Sequence, residues 1–500
     1  MKSKRLVLLV VIFFSFINSE VFNGFTLYTP MGNNPVTYLI NNNNAMIRSW
    51  PLPAPVSSIS YLLPDSSLLV PLRGATNSWP MQGPMGGRLM RFDWNGNVLW
   101  DYTYLTSDYI PHHDIEPLPN GNVLVICHER KTQAEAIAAG RTNINGEMWP
   151  DKIVEIEPTG PNNGVVVWEW HMWDHLIQDQ NPSADNYGVI ADHPELLDIN
   201  IGNVGGGGPG GGNNGDWNHL NCVSYNAERD EIVLSSRHMN EFYVIDHSTT
   251  TEEAAGHSGG NSGKGGDILY RWGNPQNYDR GNSQSQQLVA QHGVNWINPG
   301  FPGAGNFILF NNGGNNSNTS YVYEIVPPLD ENGDYVINDN QPFGPSAPIW
   351  SYSGGFHSPM QSGAFRLPNG NTFVTSAQFG HVFEVEMNGT VVWEYNHPEG
   401  NMIARAQKFP MPFGDNPGPA FMVGDTNYDG VLNIYDLNYM IDVTLGVNNA
   451  NPPSDYNQDG LVNFADVSSL LNFIMFNLSL IHICRCRRIE RCRSRWSQYH

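Results

Sequence analysis

"HVFEVEMNGTVVWEY", residues 381–395, alternates apolar and polar positions on both sides of Asn388-Gly389 and ends on Trp393-Glu394-Tyr395. Alternation of this kind marks a half-buried strand, and Asn-Gly between two such runs is the strongest short hairpin signal. The same unit recurs as "TYLINNNNAMIRSW" (37–50), "RLMRFDWNGNVLWDY" (88–102) and "KIVEIEPTGPNNGVVVWEW" (152–170). It returns around "FYVIDHS…DILYRW" (242–272) and "YVYEIVPP…APIWSY" (321–352), which makes six copies. A second hairpin alternates with the first, at 57–72, 113–127, 219–236, 292–310 and 361–376. Two hairpins per unit make a four-stranded antiparallel blade, and blades repeated around an axis make a β-propeller. The second hairpin has one copy fewer than the first. "NMIARAQKFP" (401–410) can supply the missing strand and close the ring against the N-terminal unit. The expected fold is therefore all-β, a six-bladed propeller, with seven blades as the nearest alternative.

Composition agrees. The 500 residues carry 51 Gly, 35 Pro and 14 Trp with only 15% charged residues, a profile of short strands and tight turns rather than of a helical bundle. The formal charge of −23 argues against nucleic acid as a partner. "MKSKRLVLLVVIFFSFINSE" has a basic start and an apolar run from Leu6 to Ile17, short for a membrane span and suited to a secretion signal over residues 1–19. A retained anchor is the alternative; after cleavage no span is expected, and the mature protein would be secreted, extracellular, periplasmic or at the cell surface. Residues 478–500, "LSLIHICRCRRIERCRSRWSQYH", hold three of the five cysteines and match nothing upstream. "LSLIHI" back-translates onto a transposon-end sequencing adapter, so this tail is set aside as non-native. Cys127 and Cys222 then remain, and one disulfide between them is possible.

Three histidines share a phase. His113 stands five residues before Leu118, His292 five before Ile297, and His219 six before Tyr225. In a propeller the first strand of each blade lines the channel, so these rings would converge at one mouth. The bland alternative is three polar residues capping strand ends. Arg237 follows His219 on the partner strand and returns to the same mouth; Asn221 shares the face of His219 by period two. Histidines, arginine and asparagine with little carboxylate suit a compact oxyanion, which a guanidinium holds in bidentate geometry. Neighbouring cations would keep a histidine neutral and nucleophilic. A three-histidine zinc site competes, although Arg237 would repel a dication. The excursions at 171–217 and 273–291 lie on the same face and read as pocket walls.

After the Pro-rich stretch at 411–423 come "DTNYDGVLNIYD" and "DYNQDGLVNFAD". Oxygen donors recur at loop positions 1, 3, 5, 9 and 12, with Gly at 6. They are Asp425, Asn427, Asp429, Asn433 and Asp436, then Asp455, Asn457, Asp459, Asn463 and Asp466; the carbonyls of Val431 and Leu461 would fill position 7. Each loop leads into an amphipathic helix and ends in Asp, where an ordinary EF-hand has Glu. Residues 424–477 thus resemble a type I dockerin, a small α-helical domain holding two Ca²⁺ ions and binding a cohesin-bearing scaffold. At positions 10 and 11 stand Ile434-Tyr435 and Phe464-Ala465 instead of Ser or Thr. A calcium-stapled cap on the propeller is the alternative.

The segments "HHD…LPNGN", "DWNHLN…LSSRH", "AQHGVNW…FILFNNG" and "FRLPNGNTFVTSAQFGHVFEVEMNGTVVWEY" together resemble the bacterial arylsulfate sulfotransferases, over roughly residues 35–410 of a domain read as 20–410. The resemblance implies transfer of sulfate from an aryl sulfate to a phenol through a sulfated histidine, with no cofactor in the propeller. On this pattern His292 matches the nucleophile, and His219, Asn221 and Arg237 the sulfate-holding set. His113 matches the assisting histidine, His112 being the second of that pair. A function of another class is a propeller that recognises or acts on sulfated glycans within a polymer-degrading assembly.

Overall fold

The tryptophan that ends each repeat reaches out of its own sheet and ties it to the next. The computed structural model describes residues 21–32, 35–75, 79, 84–205, 214–313, 317–410, 424, 434–445, 454, 456, 462–471, 473 and 474. Among them are six four-stranded antiparallel sheets, the blades of a six-bladed β-propeller. Blade 1 runs, from channel to rim, through Gln407–Pro410, Gly24–Tyr28, Val36–Asn41 and Met46–Pro51. Blade 2 is Tyr61–Leu62, Leu68–Arg73, Gly87–Phe92 and Val98–Thr103; blade 3 is Tyr109–Pro117, Val123–Glu129, Asp151–Gly160 and Asn163–His171. Blade 4 is Leu220–Asn226, Glu231–Ser236, Glu241–Asp246 and Tyr270–Trp272. Blade 5 is His292–Trp296, Phe307–Asn311, Tyr321–Ile325 and Trp350–Tyr352, and blade 6 is Gly363–Arg366, Thr372–Ser376, His381–Val385 and Val391–Asn396.

The rim tryptophans donate their indole N–H around the ring. Trp50 bonds Asp93 O, Trp100 bonds Asn163 O, and Trp168 and Trp170 bond Thr249 Oγ1 and Gly266 O. Trp272 bonds Pro345 O, Trp350 bonds Met387 O, and Trp393 returns to Asn42 O in blade 1. An indole suits this place because its apolar body packs between sheets while its one donor finds a carbonyl. Six apolar clusters lie correspondingly between successive blades, such as Leu124, Ile126, Leu220 and Leu234 between blades 3 and 4.

The ring closes as expected for 401–410. Gln407–Pro410 pairs antiparallel with Gly24–Tyr28, with Gly24 opposite Pro410. Buried Glu384 locks the seam, accepting from Phe22 N and Lys408 Nζ at 2.6 Å each. Joining the first and last segments of the domain in one sheet makes its unfolding cooperative, since neither end can fray without breaking a blade.

At the C-terminal end, the helix Ile434–Thr444 and the helical residues 464–471, 473 and 474 share a core of Leu437, Met440, Val467, Leu470 and Ile474. Of the expected calcium donors, Asp436, Asn463 and Asp466 are described, and both aspartates are buried. Asp425, Asn427, Asp429, Val431, Asn433, Asp455, Asn457, Asp459 and Leu461 lie outside the described residues, as do the leader at 1–19, the hinge at 411–423 and the tail at 478–500. Among the described residues no helix is long and apolar enough to cross a membrane.

Candidate active site

Strained backbone rings one mouth of the channel. His113 (φ 53°), at the bulge within the inner strand of blade 3, and His219 (φ 54°), Ala290 (φ 55°), Gln361 (φ 51°) and Ser362 (φ 84°), just before the inner strands of blades 4, 5 and 6, all sit in the left-handed region. Such conformations cost about 1–3 kcal/mol each and persist only where surroundings enforce them. The strand registers shift at the same places, between Pro111 and Ile115, Leu220 and Cys222, and His292 and Asn295. These bulges turn side chains into the mouth that regular strands would point elsewhere.

His292, His113, His219 and Arg237 come together there. The His113 and His219 rings meet edge to face with centroids 4.5 Å apart, and His112 lies 6.3 Å from His219. Arg237 is brought back by the hairpin, its N–H bonding His219 O at 3.1 Å. Burial, then the Arg237 guanidinium, push the His292 pKa down to about 3, and His219 adds to the effect. The His292 ring is therefore neutral. No hydrogen bond or ion pair ties the Arg237 guanidinium to another described side chain, and the residue is half-buried. Asn221 is buried and donates from Nδ2 to Gln291 O at 2.7 Å, which fixes the backbone next to His292, while its Oδ1 has no partner.

The proton positions follow from the acceptors. Asp151 is fully buried and accepts from His112 Nε2 (2.9 Å), His128 Nδ1 (2.5 Å), Asn218 Nδ2 (2.8 Å) and Leu220 N (2.6 Å). Burial opposes its charge, but these two histidines outweigh that and hold its carboxyl well below the usual range. With its proton on Nε2, neutral His112 presents a lone pair at Nδ1, so His113 Nδ1 donates to it at 2.8 Å. The relay leaves His113 Nε2 as an open acceptor. His112 thus acts by orienting His113. Burial is also the first cause of low pKa values at His112 and His238, both near 4. His219 Nδ1 donates to Asp216 Oδ2 at 2.6 Å, and His238 stacks on His219 at 4.6 Å. His292 Nδ1 donates to Asn312 Oδ1 at 2.8 Å. Asn312 is itself oriented, its Nδ2 donating to Ser358 O and Gln361 O. His292 Nε2 keeps its lone pair and accepts weakly from Gln361 N at 3.2 Å.

Below the histidines Arg405 crosses the channel. It bonds Asp114 Oδ2 at 2.6 Å, Tyr61 OH at 3.3 Å and Cys222 Sγ at 2.8 Å. A Cβ on Gly363 would stand 2.5 Å from Arg405 Cδ, so the inner strand of blade 6 carries glycine where the guanidinium stem passes. Cys222 and Cys127 are separate free thiols. A cavity of about 380 Å³ opens on the other side of this pair, lined by Tyr61, Glu116, Trp296, Phe301, Arg366 and Arg405; none of the histidines lines it.

Sequence reasoning did not find Asp151, Asp216, His128, His238 or Asn312. Asp216 and His238 were within reach, standing beside His219 and Arg237 in the motifs already singled out. Asn312 likewise stands in the quoted "AQHGVNW…FILFNNG" segment, just after the strand Phe307–Asn311, whereas Asp151 begins another strand and no quoted site motif contains it.

A family model described as "Arylsulfotransferase (ASST)" matches residues 75–408, more than half of the chain and all of the mouth just described. The chain belongs to the arylsulfotransferase family. It is a sulfotransferase at the level of that family, whose membership implies aryl sulfate and phenolic substrates. A search of curated proteins finds no match. Among solved structures, a protein of unknown function from Bacteroides caccae has 12% identity and a TM-score of 0.40, covering 77% of this chain and 98% of that one. The periplasmic gluconolactonase of Pseudomonas aeruginosa has the same four values. Virginiamycin B lyase from Staphylococcus aureus has 12% identity and a TM-score of 0.31, with 75% and 85% covered. At such scores these likenesses carry no weight for the chemistry of this arylsulfotransferase.

Proposed function

We propose that the protein moves sulfate from an aryl sulfate to a phenol through a sulfo-histidine on His292. The observation that carries this reading is the 2.8 Å bond from His292 Nδ1 to Asn312 Oδ1, which leaves Nε2 as the nucleophile. In the first half-reaction Nε2 attacks sulfur, the N–S bond forms and the aryl O–S bond breaks. The departing phenolate takes a proton from His219 Nε2, the ring being held by the bond from its Nδ1 to Asp216 Oδ2 at 2.6 Å. In the second half-reaction the acceptor phenol returns a proton to His219, its oxygen bonds sulfur, and the N–S bond breaks. Arg237 offsets the charge on the sulfate oxygens throughout, and a preformed donor costs no reorganisation at the moment of transfer. For attack to begin, the donor must displace the weak contact from Gln361 N.

The test is release of a coloured phenol from its sulfate ester, with and without an acceptor phenol. Release that rises with acceptor, with sulfate appearing on it, supports transfer. No release, alongside binding to sulfated polysaccharide, would instead mark a recognition propeller.

The same reading makes residues 1–19 a secretion signal and 424–477 a dockerin that takes two calcium ions and seats on a cohesin-bearing scaffold. The shared core around Leu437 and Val467 supports it, because it sets the two helices that follow the loops side by side. Calcium should protect 424–477 from proteolysis while cleavage falls within 411–423, and Asp425→Ala with Asp455→Ala should abolish that protection and spare the propeller. Unchanged cleavage under chelation would count against the calcium loops.

A further inference from the structure

Away from the channel, at the rim between blades 3 and 4, two imidazoles converge on one carboxylate oxygen. His175 Nδ1 lies 2.9 Å and His257 Nδ1 2.7 Å from Asp267 Oδ1, and the potential ligand atoms all fall within 4.8 Å of one another. His175 is fully buried, stacked flat on Trp170 with centroids 5.5 Å apart. Its other nitrogen, Nε2, meets Ala254 O at 2.9 Å. That carbonyl can only accept, so Nε2 carries a proton, and Nδ1 then faces Asp267 Oδ1 either with a second proton or with a lone pair. In the second case a cation between the nitrogen and the carboxylate takes the place of the proton, and two imidazoles converging on one carboxylate oxygen form a site for it. We propose that His175, His257 and Asp267 hold a divalent transition metal, zinc being the ion that suits two imidazoles and a carboxylate.

The surroundings fit a metal clip. A histidine ligand characteristically donates its second nitrogen to a backbone carbonyl, which is what Ala254 receives. His257 has 61% of its side chain exposed, so an ion has a path from solvent and a fourth position for water. Donor atoms at 2.0–2.2 Å from a tetrahedral ion stand about 3.3 Å apart, so the three groups would need to open by roughly half an ångström. His175 and Asp267 are buried, so the exposed His257 ring is the group free to make most of that movement. His257 and Asp267 also bracket residues 258–266, "SGGNSGKGG", which contain five glycines and no apolar side chain. Such a loop has no core of its own, and an ion joining its two ends to His175 would hold it to the rim. Of the other two convergent sets, Asp151 is already saturated by four donors, and Asp216, His219 and His238 lie beside the Arg237 guanidinium. Those two belong to the mouth already described.

The experiment uses the full chain without a histidine tag, stripped with chelator and then saturated with calcium so that the C-terminal loops are filled. Zinc or cobalt(II) is added and the bound metal counted after gel filtration. The expected result is a tightly held equivalent whose cobalt form shows the intense visible absorption of a tetrahedral site. His257→Ala removes only an exposed ring, so it should fold normally by circular dichroism, lose that equivalent and lose the cobalt band; Asp267→Asn should weaken binding at least about tenfold. Zinc should also slow proteolysis within 258–266 in the wild type and not in His257→Ala. If the wild type takes up no metal, or if His257→Ala binds as many equivalents with the same spectrum, the site does not exist. Neither result bears on the sulfate chemistry, which does not involve these residues.

Discussion

His292 and Asn312 are joined from Nδ1 to Oδ1 at 2.8 Å, and the same asparagine is anchored by Ser358 O and Gln361 O, so this amide, together with Ala290 O at 3.1 Å from the same nitrogen, holds the ring proton on Nδ1. Replacing Asn312 by Ala leaves Nδ1 only the longer contact to Ala290 O, so the ring is less firmly oriented and its proton less firmly held. The rate of phenol release in the first turnover should fall, with the roughly 10⁴-fold loss of a histidine held wholly in the wrong tautomer as the upper bound. A merely structural role would lower the melting temperature and leave the first-turnover rate per folded molecule unchanged.

Arg237 carries a different expectation, because its guanidinium has no described partner to lose. Arg237→Ala should fold like the wild type, and kcat/KM for the donor should drop by roughly 10²–10³, the loss typical of one preorganised donor. Arg237→Lys should recover little, since a point charge does not reproduce a bidentate fork. Equal kcat/KM in all three proteins would remove Arg237 from the sulfate site.

Arg405 and Asp114 are a buried pair whose side chains are 6% and 0% exposed. Arg405→Ala leaves the carboxylate without its cation and should destabilise the propeller by about 3–5 kcal/mol in urea unfolding. Adding Asp114→Asn should return part of that loss, because the uncompensated charge is then gone. A single substitution costing under about 1 kcal/mol would show that the pair contributes nothing net to the fold.

Acid stability follows from the buried rings. Burial first, and then neighbouring positive groups, lower the pKa values of His112, His113, His238 and His292 in the folded protein. Below about pH 6.5 the unfolded chain binds protons that the folded chain refuses, so stability is present above that value and falls as pH drops toward the folded pKa values. For His292 the window runs from about 6.5 down to about 3. Each ring adds a slope of ~1.4 kcal/mol per pH unit inside its window, so His292→Gln should flatten the acid limb by that amount. An identical limb in the variant would mean that the ring is protonated in the native state.

Much of this was legible in the chain before any coordinates. Trp50, Trp100, Trp170, Trp272, Trp350 and Trp393 recur because each must span the gap to the next blade, and a constraint repeated six times leaves a period. The convergence of His113, His219 and Arg237 also follows, since hairpin topology alone returns Arg237 to His219. The roles within the mouth do not. Whether His112 or His113 faces the channel depends on a left-handed residue at 113, and no composition rule announces φ of 53° at a histidine. Asp151 acts from the start of the third strand of blade 3 on His112, 39 residues away, so a reading of local motifs passes over it, while Asn312 sits in the same quoted segment as His292 with nothing local to show that the two side chains meet.

The most direct test of the account is to mix the protein with an aryl sulfate and no acceptor, then follow phenol release and intact mass together. A burst of phenol near one equivalent should accompany a gain of about 80 Da that maps to His292, and His292→Ala should lose both. Normal turnover by His292→Ala, or the added mass on another residue, would contradict the mechanism even with the fold as described.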